Sequence, residues 1–550
     1  MDRTPALAAP GVPVGRRQDL PRALPAGQGT ARLGRHPGPD RVRLDRGRPG
    51  RMRCPRRAPG PAHPRPAQRP GRRRGALHRD RTGSQRRRCP RRTGLLVRRT
   101  DMKRSIRSIT RTVAIALTAT LAVTACGAGG GGNQGPEYTG DTFDWKRHDG
   151  ESIKVYVADT GQVESLRAGL AEFTALTGIT VEIEGSDVTS YRQNLPVRLT
   201  SRASDFDVMA TFPEVDGLQF AKNGWYTDLG PYLNNPGTTH ADYDFEDFGA
   251  GIRNAMTVEE KTVTVLWEMQ TDLVYYRKDL LEKAGLPVPT TFAEWDAAAA
   301  AVHDPGNRLY GFALRGIPYQ TTTPFSSFLY AHCGEWVTDG KAALNTPEAL
   351  KAYEVYGQLG AKYGPPGISG FDWPVPSQQF AQGNVFAFLD VNLFVKDLED
   401  PTKSRVAGKI GYTTVPRADC DPAPFIGGWG YGINPFSTKG DAAWYFIQWA
   451  TGKQMNQELK LTGWPSPRAS AWESPAFTQA DKTPEFTRVV LSSTETARAR
   501  MNPPVTPGVE AREIAGLVAN KGLEGQTGGA LKQTADQQNS KLQGLLDAMR

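Results

Sequence analysis

Residues 1–100 contain no lysine, glutamate, isoleucine or asparagine, and no aromatic residue. They hold instead 28 Arg, 5 Asp and 15 Pro. A stretch so poor in large apolar side chains cannot bury enough surface to offset its chain entropy, and it is expected to be disordered. A basic arm could serve nucleic acid. Such arms mix Lys with Arg, however, and the residues missing here include Lys, Asn, Ile, Phe and Tyr, those with AT-rich codons. The composition fits GC-rich DNA read upstream of the true start. The functional chain is expected to open at Met102, which makes residues 1–101 a leader.

Long apolar runs are scarce too. Val113–Val123 has eleven residues, too short for a bilayer that takes about 20, and no further stretch reads as transmembrane. Lys103, Arg104, Arg107 and Arg111 precede that run; Val123-Thr124-Ala125-Cys126 and a glycine-rich segment follow it. This is the layout of a secretory signal over residues 102–125. It ends in the lipobox of bacterial lipoproteins, where the cysteine is lipidated and becomes the new N-terminus. A buried apolar helix with an incidental cysteine would not account for the flanking charges, the small residues or the glycines. Several acyl chains on Cys126 anchor stably where one would not. Residues 126–150 then read as lipidated cysteine and flexible tether, and the protein is expected on the extracellular face of the cell membrane.

The formal charge of +11 misleads. Residues 1–101 supply +22, so residues 102–550 carry −11, or −15 without the four cations of the signal. The mature chain is acidic, and nucleic acid is not an expected partner. Its 425 residues from Cys126 suffice for two sizeable α/β lobes. Metal-site spacings are absent: neither Cys333 nor Cys420 has a CxxC partner, and His332 lacks the spacing of a ligand set. No metal or cofactor is expected. Export exposes Cys333 and Cys420, the only thiols left once Cys126 is lipidated, to oxidation. A disulfide between them is expected ahead of two free thiols.

Enzyme signatures are missing as well. There is no nucleophile elbow, HExxH, Walker loop or GxGxxG. The glycines around Trp429 lead to Asn434-Pro435, not to a helix N-terminus that could hold phosphate. An enzyme is not expected, although a secreted carbohydrate hydrolase with a carboxylate pair stays as the rival reading.

What is present is an alternation of strands and helices. Ser152–Ala158 reads as a buried strand, Val163 to Leu176 as a helix stopped by Gly178, and Ile179–Glu184 as a second strand. A helix over about Tyr191 to Ser201 leads to a third strand, Asp207–Phe212. That order implies βαβ units and a parallel sheet, with ligands beyond the carboxyl ends of the strands. Further on, Thr262–Trp267, Val385–Asp390 and Trp429–Ile433 read as strands. Thr291 with Glu294 forms a capping box, Thr346 with Pro347 starts a helix to about Tyr363, and Asp441–Thr451 is helical.

Several segments together resemble the extracellular solute-binding proteins of bacterial carbohydrate ABC transporters, the maltose-binding-protein-like family. They include "SIKVYVADTGQVESLRAGLAEFTALTGITVEI", "SDFDVMATFPEVDGLQFAKNGWYTDLGPYL", "TVLWEMQTDLVYYRKDLLEKAGLPVPTTFAEW", "FIGGWGYGINPFSTKGDAAWYFIQWATG" and "LTGWPSPRASAW". The similarity spans nearly all of 152–550. It implies an α/β, two-lobed periplasmic-binding-protein-like fold of class II, its lobes joined by crossing hinge strands and closing over a ligand. The implied lobes are 151–272 with about 434–500, and 273–433 with about 503–550. The implied partners are a sugar (mono- or oligosaccharide) or a polyol, and the permease subunits of an ABC transporter. The protein is expected to be a monomer.

A sugar or polyol site combines aromatic faces with carboxylates and amides. Trp429, flanked by Gly428 and Gly430, is the first candidate for a stacking platform; the alternative is a core tryptophan under the hinge. Trp373 sits in a loop and is a second. Asp390 and Asn392 end the strand "VFAFLD", where the resemblance implies ligand-facing groups and a helix N-cap is the alternative. Glu214 corresponds to the ligand loop of the first lobe. Trp267, Glu268 and Gln270 precede the first crossover, and Arg468 matches a late Pro-Arg element in which a structural ion pair is equally plausible. Mass spectrometry of the native product should find a lipid-modified Cys126 at the N-terminus; peptides from residues 1–101 would overturn that expectation.

Overall fold

The computed structural model describes residues 135–550. Cys126 and the proposed signal lie outside the described residues. Strands β1 Ser152–Ala158, β2 Thr180–Ser186 and β3 Val208–Thr211 are parallel. Helices α1 Val163–Thr177 and α2 Val188–Thr200 connect them. Gly178 closes α1 at φ 77°, a left-handed conformation that a side chain would strain. Asp187 caps α2 by accepting from the Ser190 amide at 3.0 Å. Helix α3 Pro213–Lys222 follows β3.

The later strands are β4 Val265–Leu266, β5 Gln270–Arg277, β6 Tyr310–Ala313, β7 Val385–Val391, β8 Ile410–Thr414, β9 Ile426–Gly427 and β10 Gly430–Ile433. They fall into two sheets. The first runs β2-β1-β3-β10-β4 and the second β8-β5-β7-β6, with β9 pairing the start of β5. The parallel order expected of the first sheet holds for β1–β3 only, because β10 returns antiparallel to both β3 and β4. The second sheet is built on β5, antiparallel to β7 and β8. Its run Thr271–Tyr276 is buried throughout, as a strand covered on both faces must be. Helices α4 Pro318–Ala331 and α5 Pro347–Tyr363 cover one face of it, α7 Gly508–Leu523 packs on those two helices, α8 Gly528–Ala548 packs on α5 and α7, and α6 Gly440–Ala450 packs on β10. The Thr291–Glu294 capping box forms with both of its hydrogen bonds.

The chain passes between the sheets at Trp267–Met269, where β4 gives way to β5, and returns at Gly428–Trp429. The two passages are bonded side by side through the Trp267 amide and the Trp429 carbonyl (3.1 Å). The return comes a few residues earlier than the boundary near 433, because Gly430–Ile433 belongs to the first sheet. The boundary near 500 also moves. Helix Pro484–Thr496 packs on β8 and β5 of the second sheet, with Phe486 edge-on to Tyr412 at 5.3 Å, so the last passage precedes residue 484.

The segment expected to be flexible up to residue 150 is docked from residue 136 onward. The amides of Glu137 and Tyr138 donate to the Asp441 carboxylate at 3.1 Å each, and Asn235 donates to the Tyr138 carbonyl. Phe143, Trp145, His240 and Tyr445 form an aromatic cluster with centroids 4.8–5.7 Å apart. Burying these rings outweighs the entropy of fixing a short strap.

A disulfide joins Cys333 and Cys420, whose Cα atoms lie 5.4 Å apart across 87 residues of sequence. In the chain-entropy account such a loop stabilises by up to about 4 kcal/mol. Replacing both cysteines by Ala should lower the thermal midpoint measured without reductant. An unchanged midpoint, or two titratable thiols in the unfolded native chain, would refute the assignment.

Candidate ligand-binding site

The two passages meet so closely that a Cβ on Gly428 would stand 2.2 Å from the Glu268 carbonyl oxygen. Only glycine fits, and this contact fixes where the side chains of both passages point. Trp267 and Trp429 lie parallel within 13°, centroids 6.4 Å apart. The expectation that small neighbours leave the face of Trp429 open is corrected by its surroundings. The ring is 5% exposed, Arg192 lies 4.7 Å over it, and Phe212 and Tyr191 pack their edges on it. Trp373 is the open one, 42% exposed and 5.7 Å from the Phe394 ring.

Below the indoles the polar groups are buried and incompletely bonded. Glu268 accepts from Gln270 Nε2 at 2.6 Å through Oε1, while Oε2 has no partner. Burial pushes its carboxyl up to about 7. Asp272 accepts from Ser327 Oγ at 2.7 Å through one oxygen and leaves the other unpartnered. Burial, with Asp390 nearby, holds it up at about 8 against the opposing Ser327 bond and Arg315 charge. Asn392 accepts from the Thr271 amide through Oδ1, and its Nδ2 has no partner. Glu214 rests against Gly427 and the Gly428 amide, and burial raises its carboxyl well above the usual range. Native interiors rarely leave such atoms unsatisfied without something else to meet them.

Two of the expected contacts are committed elsewhere. Asp390 is neither open to hydroxyls nor a helix cap. It is fully buried in a two-point pair with Arg315, through Nε at 2.9 Å and through Nη2. Arg468 is fully buried, donating to the carbonyls of Thr451 and Asp244 and pairing with Asp247 at 3.2 Å. It has the structural ion pair, not a ligand-facing position, because every acceptor it reaches lies within its own packing layer.

Sequence reasoning missed a set of polar groups where helix α3 meets helix α7. Arg192 pairs with Asp216 at 3.0 Å on the first-sheet side. On the other side Tyr319, Thr323 and Ser327 form a polar stripe along α4. Tyr319 and Thr323 accept from Arg512 on α7, and Ser327 donates to Asp272. Two signals were available. Arg315 lies two residues beyond the end of strand β6, the region where open α/β sheets place ligand groups. Arg512 stands on the apolar face of its helix, where a charge is out of pattern.

The profile of the bacterial extracellular solute-binding proteins matches residues 158–457, more than half of the chain. The chain belongs to that family. Among its relatives, an erythritol/L-threitol-binding protein of Mycolicibacterium smegmatis is 28% identical over 362 residues, 62% of this chain and 75% of that protein. A mannitol-binding protein of Pseudomonas aeruginosa is 26% identical over 312 residues, 55% and 69% of the two chains. The crystal structure of an ABC transporter solute-binding protein from Agrobacterium radiobacter, in complex with ribitol, superposes with a TM-score of 0.65. It is 26% identical and covers 72% of this chain and 99% of that one. This solute-binding protein therefore has the two-lobed class II fold, with crossing hinge strands, and belongs with transport proteins rather than enzymes.

Raised carboxyls make its stability fall with pH. Unfolded, Glu268 and Asp272 lose their protons near 4; folded, they hold them to about 7 and about 8. The stabilisation is complete below pH 4 and is lost as pH rises to about 8. Denaturant melts from pH 5 to 8 should show this fall, and E268Q with D272N should flatten it; equal slopes in native and variant would contradict the assignment.

Proposed function

We propose that the protein captures a small polyhydroxylated solute, a polyol or a sugar, between its lobes and delivers it to the permease of an ABC transporter. The observation that carries this reading is the set of unpartnered buried atoms on Glu268, Asp272 and Asn392, at or just after the crossover that also carries Trp267. Hydroxyl groups both donate and accept, so a polyhydroxylated solute can satisfy carboxyl oxygens and an amide NH2 together. The relatives that bind erythritol, mannitol and ribitol support it. In this reading Glu268, Gln270, Asp272 and Asn392 contact the solute. Glu214, Trp267 and Gly428 shape the floor, Trp429 acts as a wall held in place by Arg192, and Trp373 covers the rim. Differential contacts in the closed state would supply the shift toward closure.

The second half of the proposal is the anchor. Cys126 would carry the lipid and hold a monomer at the outer face of the membrane. Among the described residues no helix is long and apolar enough to cross a membrane.

A thermal-shift screen of C3–C6 polyols, monosaccharides and oligosaccharides, followed by calorimetry, tests the reading. One class should bind at a one-to-one ratio without turnover, and small-angle scattering should show a smaller radius of gyration with ligand. Stabilisation by peptides or metal ions only, or release of product, would overturn it.

A further inference from the structure

Three guanidinium groups approach the cleft, and two of them are neutralised. Arg192 is paired with Asp216 and Arg315 with Asp390. Arg512 is 3% exposed, and it donates from Nε to the Tyr319 carbonyl at 2.9 Å and from Nη2 to Thr323 Oγ1 at 3.1 Å. Its Cζ lies 4.4 Å over the Tyr319 ring. All of these partners are neutral, and Nη1 bonds none of the described residues. No carboxylate lies within ion-pairing distance of it among the described residues. Its nearest charges include Arg192 and Arg315, both of like sign; Asp216 and the exposed, solvent-screened Glu513 oppose them without pairing with it. The carboxyls of Glu214, Glu268 and Asp272 stay protonated through burial and do not offset this excess. A buried cation without a counter-ion is costly unless one arrives.

We propose that the ligand brings it: the cleft takes a sugar acid of the aldonate class, with its carboxylate on Arg512 and its hydroxyls on Glu268, Asp272 and Asn392. This rests on the solute-binding reading above and narrows its ligand. One unpaired cation matches the single charge of a carboxylate, whereas the near-double charge of a phosphate would leave an excess. The planar guanidinium fork also suits a carboxylate.

The test is calorimetry on the mature chain at pH 6, with matched pairs: D-gluconate against D-glucitol and D-ribonate against ribitol. The acid should bind at least tenfold more tightly than its polyol, with the preference shrinking in high salt. R512Q should bring the ratio close to one, and R512K should keep part of it. R512K carries the test if R512Q does not fold. Polyols that bind as tightly as their acids would overturn the inference and leave the solute-binding reading standing. An acid preference that persists in R512Q would overturn the role of Arg512. Binding of neither class at millimolar ligand would remove both readings.

Discussion

The backbone contact between Gly428 and the Glu268 carbonyl is the constraint on which the rest is arranged. Two chain passages run against each other there with no room for a side chain, and each continues into a strand of a different sheet. Because the passages are bonded to one another, the first residues of β5 and the last before β10 are held at fixed distances. Trp267, Glu268 and Gln270 on one passage and Trp429 on the other thus share one location without being neighbours in sequence. A hinge made this way bends without letting its own side chains drift, since any rotation of the sheets must pivot about the paired backbone.

The electrostatics of the interior follow from that arrangement. Groups with room for a partner have taken one: Arg192 with Asp216, Arg315 with Asp390, Arg468 with Asp247. The carboxyls placed by the crossover have no ion-pair partner, only neutral hydrogen bonds, and burial raises them instead. The protein tolerates this because a protonated carboxyl costs far less to bury than a carboxylate. Stability and readiness to bind are therefore in tension at the same atoms, as is common where binding groups are preorganised.

Much of the architecture was legible in the sequence. Local chemistry marked the element ends: Gly178 after α1, the Thr291–Glu294 box, and Thr346-Pro347 at the start of α5 all behave as their residue types dictate. The lobe boundaries were less legible, because nothing local distinguishes a helix that packs on one sheet from a helix that packs on the other; Pro484–Thr496 is the example. The same limit applies to the site. Glu268 and Asn392 could be picked out as polar residues at strand ends. Whether Asp390 faced a solute or an arginine depended on Arg315, 75 residues away in sequence. Trp429 looked open because its neighbours in sequence are glycines, but its neighbours in space are Arg192, Tyr191 and Phe212.

The strap of residues 136–150 bears on how far the protein can roam. With Glu137 and Tyr138 fastened to Asp441, a chain anchored at Cys126 as proposed has only residues 127–136 as a leash. Covalent geometry limits ten residues to about 36 Å of reach. The first-sheet lobe would then sweep a shell hardly deeper than its own diameter, in which its effective concentration toward a permease in the same membrane lies in the millimolar range. A weak docking contact would suffice for delivery at that concentration, and the carrier would be shared only among permeases it meets by lateral diffusion.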